Sequence, residues 1–366
     1  MDTDKTKEKP TRLLSLDGLR GIAACLIAFG WHYQHFYISV DITPRPLGSI
    51  LSFTFLNGWL LADLFFIISG FSTSLAYQDR IIEGKLKYKG YLIKRIKRIY
   101  PLHLITLLVV AVLQMAYRSV TGQFFVYPVN DLKHFILNIF LLNGGATDHL
   151  MSFNGPAWYL GILFLILLVF FPVVRLCKSE RIIRIIFVAV TLLGIMLLFI
   201  NGYVKQEHLL RGVTCFSIGV LINCFRKGFD KRKKLTGIVS ASAALIAYIF
   251  TRSFGIYAAG EDPTALFILY LCGILFWSFL IIAVLYFDPV KKLLSQKVPA
   301  YLGSISMLIY MIHFPLQLLM KTIIKSTGLK VNYGSLWFMA LYIVIVLGTA
   351  ALIKFLKARL KERSTP

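Results

Sequence analysis

The chain has 366 residues, 57% of them hydrophobic and only 16% charged, with a formal net charge of +23 and a mean hydropathy of +0.72. Soluble domains average nearer a quarter charged residues, and here apolar runs recur along the whole length. A soluble protein with one anchor is therefore excluded, and an all-α, polytopic membrane protein is expected. No basic stripe interleaves with base-stacking aromatics, which argues against a nucleic-acid partner.

Residues 1–12 are polar and basic and read as a cytoplasmic tail. The next stretch, LLSLDGLRGIAACLIAFGWHYQHF, is long, apolar and without a small-residue cleavage site, so it reads as a retained first span over 13–35. It carries Asp17, Arg20, His32 and His35. Ionisable groups at membrane depth are costly and mark function more often than anchoring. Twelve helical residues separate Arg20 from His32, about 18 Å, which suits a long acyl-CoA touching both. Arg20 then binds an anionic part, and His32 takes a proton from an incoming hydroxyl. The alternative is an Arg20 that snorkels to the interface and a His32 that sits in an aromatic belt.

The second span, 57–78, contains ADLFFIISGFSTSLAY. Asp63 is placed to pair with a first-span histidine and hold its tautomer. Ser69 and Gly70 suit either close helix packing or a thin substrate arm. The connector KYKGYLIKRIKRIYPLH puts Lys94, Arg95 and Arg98 on one face of a short interfacial helix. They form either a phosphate clamp or an ordinary positive-inside cluster, and Tyr100 joins the donor-binding candidates. Pro101 suits the first turn of the third span, 99–117. HFILNIFLLN, 134–143, is too short to span and reads as re-entrant or interfacial.

FNGPAWYLGILF opens the fourth span, 157–176. Asn154 is expected to cap it and Pro156 to sit in its first turn. Trp158 and Tyr159 read as interfacial residues, with Trp158 and Asn154 also candidates for an acceptor pocket. Further spans follow at 183–202, 208–225, 236–252, 264–287, 301–323 and 334–357, and 358–366 reads as a cytoplasmic tail. In the ninth span His313 lies in mid-membrane beside Pro315, whose ring frees the Met311 carbonyl. His313 is therefore either a cavity-lining, substrate-binding residue or a structural one.

Thirty of the forty Lys and Arg fall in one set of alternating connectors and tails, nine in the other, and Arg20 inside the first span. That bias makes both termini cytoplasmic and most of the net charge topological. No linker suggests a second domain within the membrane region 13–357. The five cysteines are scattered and have no CxxC pair, so they read as buried apolar side chains, without a disulfide frame or metal site.

LDGLRGIA, ADLFFIISGF, KRIKRIYPLH, NGPAWYL and SISMLIYMIHFP, in this order from about 13 to about 320, resemble the acyltransferase 3 family of integral-membrane O-acyltransferases. The resemblance implies acyl transfer, often acetyl, from a cytoplasmic CoA thioester to a hydroxyl. The expected acceptors are a cell-surface glycan, a lipid-linked sugar or a small molecule. Acyl-CoA is then a co-substrate, no permanent cofactor is needed, and the setting is the cytoplasmic membrane of a bacterium. Arg20 matches the family's first-span arginine, and Arg95 and Arg98 match its basic pair. Trp31 occupies the position where the family has its histidine, eleven residues after the arginine, and His32 comes one residue later. That turns the imidazole about 100° on an ideal helix. A π-bulge would restore its direction, and His35 is the reserve base. The family's fourth-span glutamate is absent, with Gly161 after WYL, and the chain shows no appended esterase-like domain. Asp63 or Asp17 is expected to orient a neighbour, and the acceptor pocket to lie in 36–57 and 118–156. The rival expectations are a transporter using the same charges without chemistry, or an acyl-CoA-binding member with altered catalysis.

Overall fold

The computed structural model describes residues 13–37, 47–145, 150–202, 204–205, 207–257 and 262–363. The tail 1–12, the end of the tail 358–366, and parts of the expected acceptor segments (38–46 and 146–149) lie outside the described residues.

Thirteen α-helices and no strand occur among the described residues. They are α1 (Leu14–Phe29), α2 (Gly48–Asn57), α3 (Leu60–Ile82), α4 (Tyr88–Thr121), α5 (Leu132–Ile139), α6 (Trp158–Cys177), α7 (Glu180–Asn201), α8 (His208–Lys231), α9 (Lys233–Tyr257), α10 (Pro263–Tyr286), α11 (Asp288–Leu294), α12 (Lys297–Thr327) and α13 (Leu336–Arg363). Among the described residues ten segments are long and apolar enough to cross a membrane: α1 taken together with the 3-10 turns that follow it (Leu14–Tyr37), and every other helix but α2, α5 and α11. This is the all-α, ten-span architecture the hydropathy predicts. The side of the molecule that carries most Lys and Arg is called the basic side below.

Two local expectations change. Tyr88–Thr121 is one continuous helix with Pro101 inside it, not an interfacial helix followed by a new span. Its length of roughly 50 Å exceeds a hydrocarbon core of about 30 Å, so its basic first turns extend past the membrane. Asn154 makes no capping bond, and Pro156 lies in a short 3-10 turn, Gly155–Ala157, before α6. The short stretch at 134–143 does form a separate helix, α5, capped by Asp131, whose carboxylate accepts from the His134 backbone N–H at 2.8 Å.

Two glycine seams set the centre of the bundle. In the first, α1 lies on α12. A Cβ on Gly21 would strike the Gly303 backbone, and one on Gly303 would strike the Asp17 carbonyl. In the second, α3 lies on α8, with Gly70 against the Phe216 carbonyl and Gly219 against that of Ile67. Apolar burial gives no drive between helices in lipid, so close backbone approach and van der Waals contact hold such seams.

The third determinant is the end of α1. Gly30 leaves the helical region at φ −104°, ψ −84°. Trp31–Tyr37 then continues as a 3-10 helix, not through the expected π-bulge. Side chains from elsewhere hold this segment. Gln317 Nε2 donates to the His32 carbonyl at 3.0 Å, and Lys321 Nζ to that of Phe36 at 2.8 Å. The Tyr33 hydroxyl donates to the Tyr333 carbonyl at 2.8 Å. Phe36 is fully buried among Tyr333, Phe338 and Tyr342.

Candidate active site

His32 and His35 sit on the 3-10 segment three residues apart, one 3-10 turn, so both face α12. His313 and Gln317, one α-turn apart, meet them. His32 Nδ1 lies 2.7 Å from His313 Nε2, and His35 Nδ1 lies 3.2 Å from Gln317 Oε1. His313 Nδ1 lies 2.7 Å from the Tyr310 carbonyl, which can only accept. The protons follow from this geometry. His313 carries its proton on Nδ1, its Nε2 is the lone pair, and His32 therefore donates Nδ1–H to it. His32 Nε2 is left as a lone-pair nitrogen with no protein hydrogen-bond partner among the described residues.

The Met311 carbonyl freed by Pro315 is met by Asn154 Nδ2 at 3.4 Å, and the Tyr342 hydroxyl donates to the His313 carbonyl at 3.2 Å. The carbonyl that Pro315 frees is thus met from the turn before α6, and α12 runs on as one helix through the proline.

A cavity of about 360 Å³ opens on the histidines, lined among others by Trp31, His32, His35, Trp59, Trp158 and Tyr310. Tyr127 also lines it, and burial pushes its phenol above the ordinary range, which keeps it a hydroxyl donor. On the basic side lies a second cavity of about 190 Å³, lined by Arg20, Ser69, Arg95, Arg98, Tyr159 and Tyr310 among others. Tyr310 belongs to both walls, and its hydroxyl donates to the Pro156 carbonyl. Ser69 Oγ and the Tyr159 hydroxyl are 2.9 Å apart beside it.

The guanidiniums are aimed by neighbours. Arg20 donates Nε–H to Ser306 Oγ at 3.1 Å, and one terminal nitrogen reaches Asp17 at 2.7 Å and the Gly303 carbonyl at 3.1 Å. Arg95 donates to Thr73 Oγ1 at 3.3 Å and lies over the rings of Tyr77 and Tyr91.

Several candidates stand elsewhere than expected. Asp63 does not reach a first-span histidine. It forms a fully buried, two-pronged ion pair with Arg211, whose guanidinium also donates to the Trp59 and Lys205 carbonyls and lies over the Trp59 ring. Asp17 pairs with Arg20 at the basic end, far along α1 from the imidazoles, so it positions the arginine and is not a catalytic acid or base. Gly70 faces α8, not a cavity, because its neighbour there is the Phe216 backbone. Tyr100 packs edge-on against Phe164 and lines neither cavity. Asn154 is spent on Met311 and is off the cavity wall. His313 has both ring nitrogens engaged within the protein, which makes it a positioning residue, not a substrate ligand. Trp158 does line the histidine cavity, its ring tilted against that of His208 with centroids 4.2 Å apart.

The sequence reading missed Gln317, Lys321, Tyr310 and Arg211. Arg211 and Lys321 belong to the nine Lys and Arg of the less basic connectors, yet both are buried, at 1% and 0% exposure. Their place at the ends of apolar runs was the available signal, since an ionisable group at that depth needs a partner.

A family model described as an acyltransferase domain matches residues 13–360. Over 106 residues, 29% of this chain, the sequence is 32% identical to "Protein 2 in picA locus" of Rhizobium radiobacter. The match takes in 48% of that protein, so the chain spans about half the length of the curated relative it matches. No solved structure matches.

Proposed function

The chain belongs to the acyltransferase 3 family, and from that membership we propose that it is a multi-pass membrane O-acyltransferase. It moves an acyl group, acetyl being the expected one, from acyl-CoA on the cytoplasmic side to a hydroxyl of an acceptor on the outer side. A cell-surface glycan, a lipid-linked sugar or a small molecule fits this role, in the cytoplasmic membrane of a bacterium.

One observation carries the reading: two cavities share Tyr310, one lined by Arg20, Arg95 and Arg98 with no imidazole, the other by three imidazoles, His32, His35 and His208, together with Lys205 and Arg211. Arg20, Arg95 and Arg98 suit the phosphates of a CoA head, with charge-assisted hydrogen bonds that exceed neutral ones. The thin pantetheine arm then follows the wall of Ser69, Tyr159 and Tyr310 toward His32. His32 Nε2 takes the hydroxyl proton as the acceptor oxygen attacks the thioester carbonyl. The C–O bond forms, the C–S bond breaks, and the leaving thiolate recovers the proton from His32. No net proton is released. Through this cycle His313 holds the His32 tautomer, and its own Nδ1–H rests on the Tyr310 carbonyl.

His32 suits the base better than His35 for a chemical reason. The partner of His32 is an imidazole nitrogen, which can share the incoming charge. The partner of His35 is an amide oxygen, which orients the ring but takes no proton.

The test is acceptor-dependent CoA release from acetyl-CoA by purified protein in detergent. We expect His32→Ala to lower it by about 10²-fold or more, in line with loss of a general base, and His35→Ala to retain measurable turnover. Labelled acetyl-CoA that binds but is not consumed with any alcohol offered would contradict the proposal and favour binding without chemistry.

A further inference from the structure

The base reading leaves His35 unused, although it is as deeply buried as His32, at 8% against 9% exposure. Its ring is held edge-on by Phe125, Tyr127 and Phe314. Gln317 sets its tautomer. The Gln317 amide nitrogen must face the His32 carbonyl, which only accepts, so the amide oxygen faces His35 Nδ1. His35 Nδ1 therefore carries the proton and Nε2 the lone pair. Both imidazoles turn their Nδ1 edges to α12, so both Nε2 edges point away from that helix. The two rings stack with centroids 4.9 Å apart and planes within 20°, and both line the same cavity. Neither Nε2 has a hydrogen-bond partner among the described residues.

Two nitrogens that only accept, side by side in one chamber, call for two donors, and the reacting hydroxyl supplies one. We propose that His35, oriented by Gln317, is an acceptor-binding residue that takes a hydrogen bond from a second hydroxyl of the acceptor. The site then selects diols and polyols whose hydroxyls lie within a few ångströms of each other over single alcohols. This rests on the acyl-transfer reading above and adds the feature by which the acceptor is chosen. A single alcohol leaves one Nε2 to water or unpaired, and sites built around a substrate hydroxyl discriminate against the analogue that lacks it.

The experiment needs no knowledge of the native acceptor. Purified protein is given labelled acetyl-CoA with 1-propanol, 1,2-propanediol, 1,3-propanediol or glycerol, all small beside a cavity of about 360 Å³. Ester products are measured by mass spectrometry. We expect kcat/KM for at least one diol to exceed that for 1-propanol by about tenfold or more, mainly through KM. His35→Leu and Gln317→Leu should bring the ratio close to the statistical factor of about two set by hydroxyl count, and His35→Gln, which keeps an acceptor atom, should recover part of it. Ester formation in the wild type with a ratio near two overturns the inference and leaves acyl transfer standing, whether or not the variants fold. A high ratio that persists in both Leu variants also overturns it. No ester with any alcohol contradicts the acyl-transfer reading, and this inference with it.

Discussion

At the scale of single residues, the site depends on where protons sit. In the proposed reaction His32 can act as the base only while Nδ1–H is tied to His313, because that contact leaves Nε2 without a protein partner at the cavity it lines. His313→Ala should therefore lower kcat by about 10- to 100-fold while the KM for acyl-CoA stays within about threefold, since the guanidiniums that face the donor are untouched. Steady-state rates at varied acyl-CoA separate the two parameters, and a change confined to KM would count against the relay. Asp63 and Arg211 make the opposite kind of pair, buried and structural. Arg211→Met should destabilise the protein by about 3–5 kcal/mol by leaving a buried carboxylate, and Asp63→Leu added to it should recover most of that. Denaturation in detergent micelles measures both. Of these groups, sequence made His32, His35, Arg20 and Asp63 visible, because each is an ionisable residue inside an apolar run. It could not show that Asp63 belongs to Arg211, 148 residues away, instead of to a histidine one helix earlier.

At the scale of elements, the decisive piece is the seven-residue 3-10 segment Trp31–Tyr37. The one-residue offset from the family spacing reads in sequence as a rotation of the imidazole by about 100° on an ideal helix. The protein answers it by ending α1 at Gly30 and winding the next turn more tightly. Nothing local dictates that choice. It is fixed by Gln317, Lys321 and Tyr333, some 285 to 300 residues further along, so only the need for an adjustment was legible. Lys321→Met leaves the Phe36 carbonyl unpaired and removes a cation 4.2 Å from the Tyr333 ring. It should destabilise the fold by about 1–3 kcal/mol and speed hydrogen exchange across residues 31–37 more than in α1 itself. Uniform exchange across both would argue that the segment holds itself. The α1–α12 seam is stiffer. Gly303→Leu forces the Asp17 backbone away and should prevent stable folding or lower the melting temperature sharply, seen as loss of a monodisperse peak in size-exclusion chromatography.

At the scale of the molecule, the ten spans were legible because hydropathy and alternation of Lys and Arg respond to the bilayer, a constraint acting on each segment alone. The helix pairings were not legible, because α1 on α12 and α3 on α8 are chosen by close backbone approach and not by hydropathy. The pairings leave a cavity lined by Arg20, Arg95 and Arg98 and a cavity lined by His32 and His35 sharing Tyr310, and the central claim of the proposed function is that donor and acceptor meet there from opposite sides of the membrane. Sidedness tests this most directly. Labelled acetyl-CoA is added outside sealed inverted vesicles that carry the protein, with a membrane-impermeant polyol either trapped in the lumen or placed outside. The account predicts ester in the lumen, dependent on His32, and little ester when the polyol is outside only. Ester formed equally well with donor and acceptor both outside would contradict it.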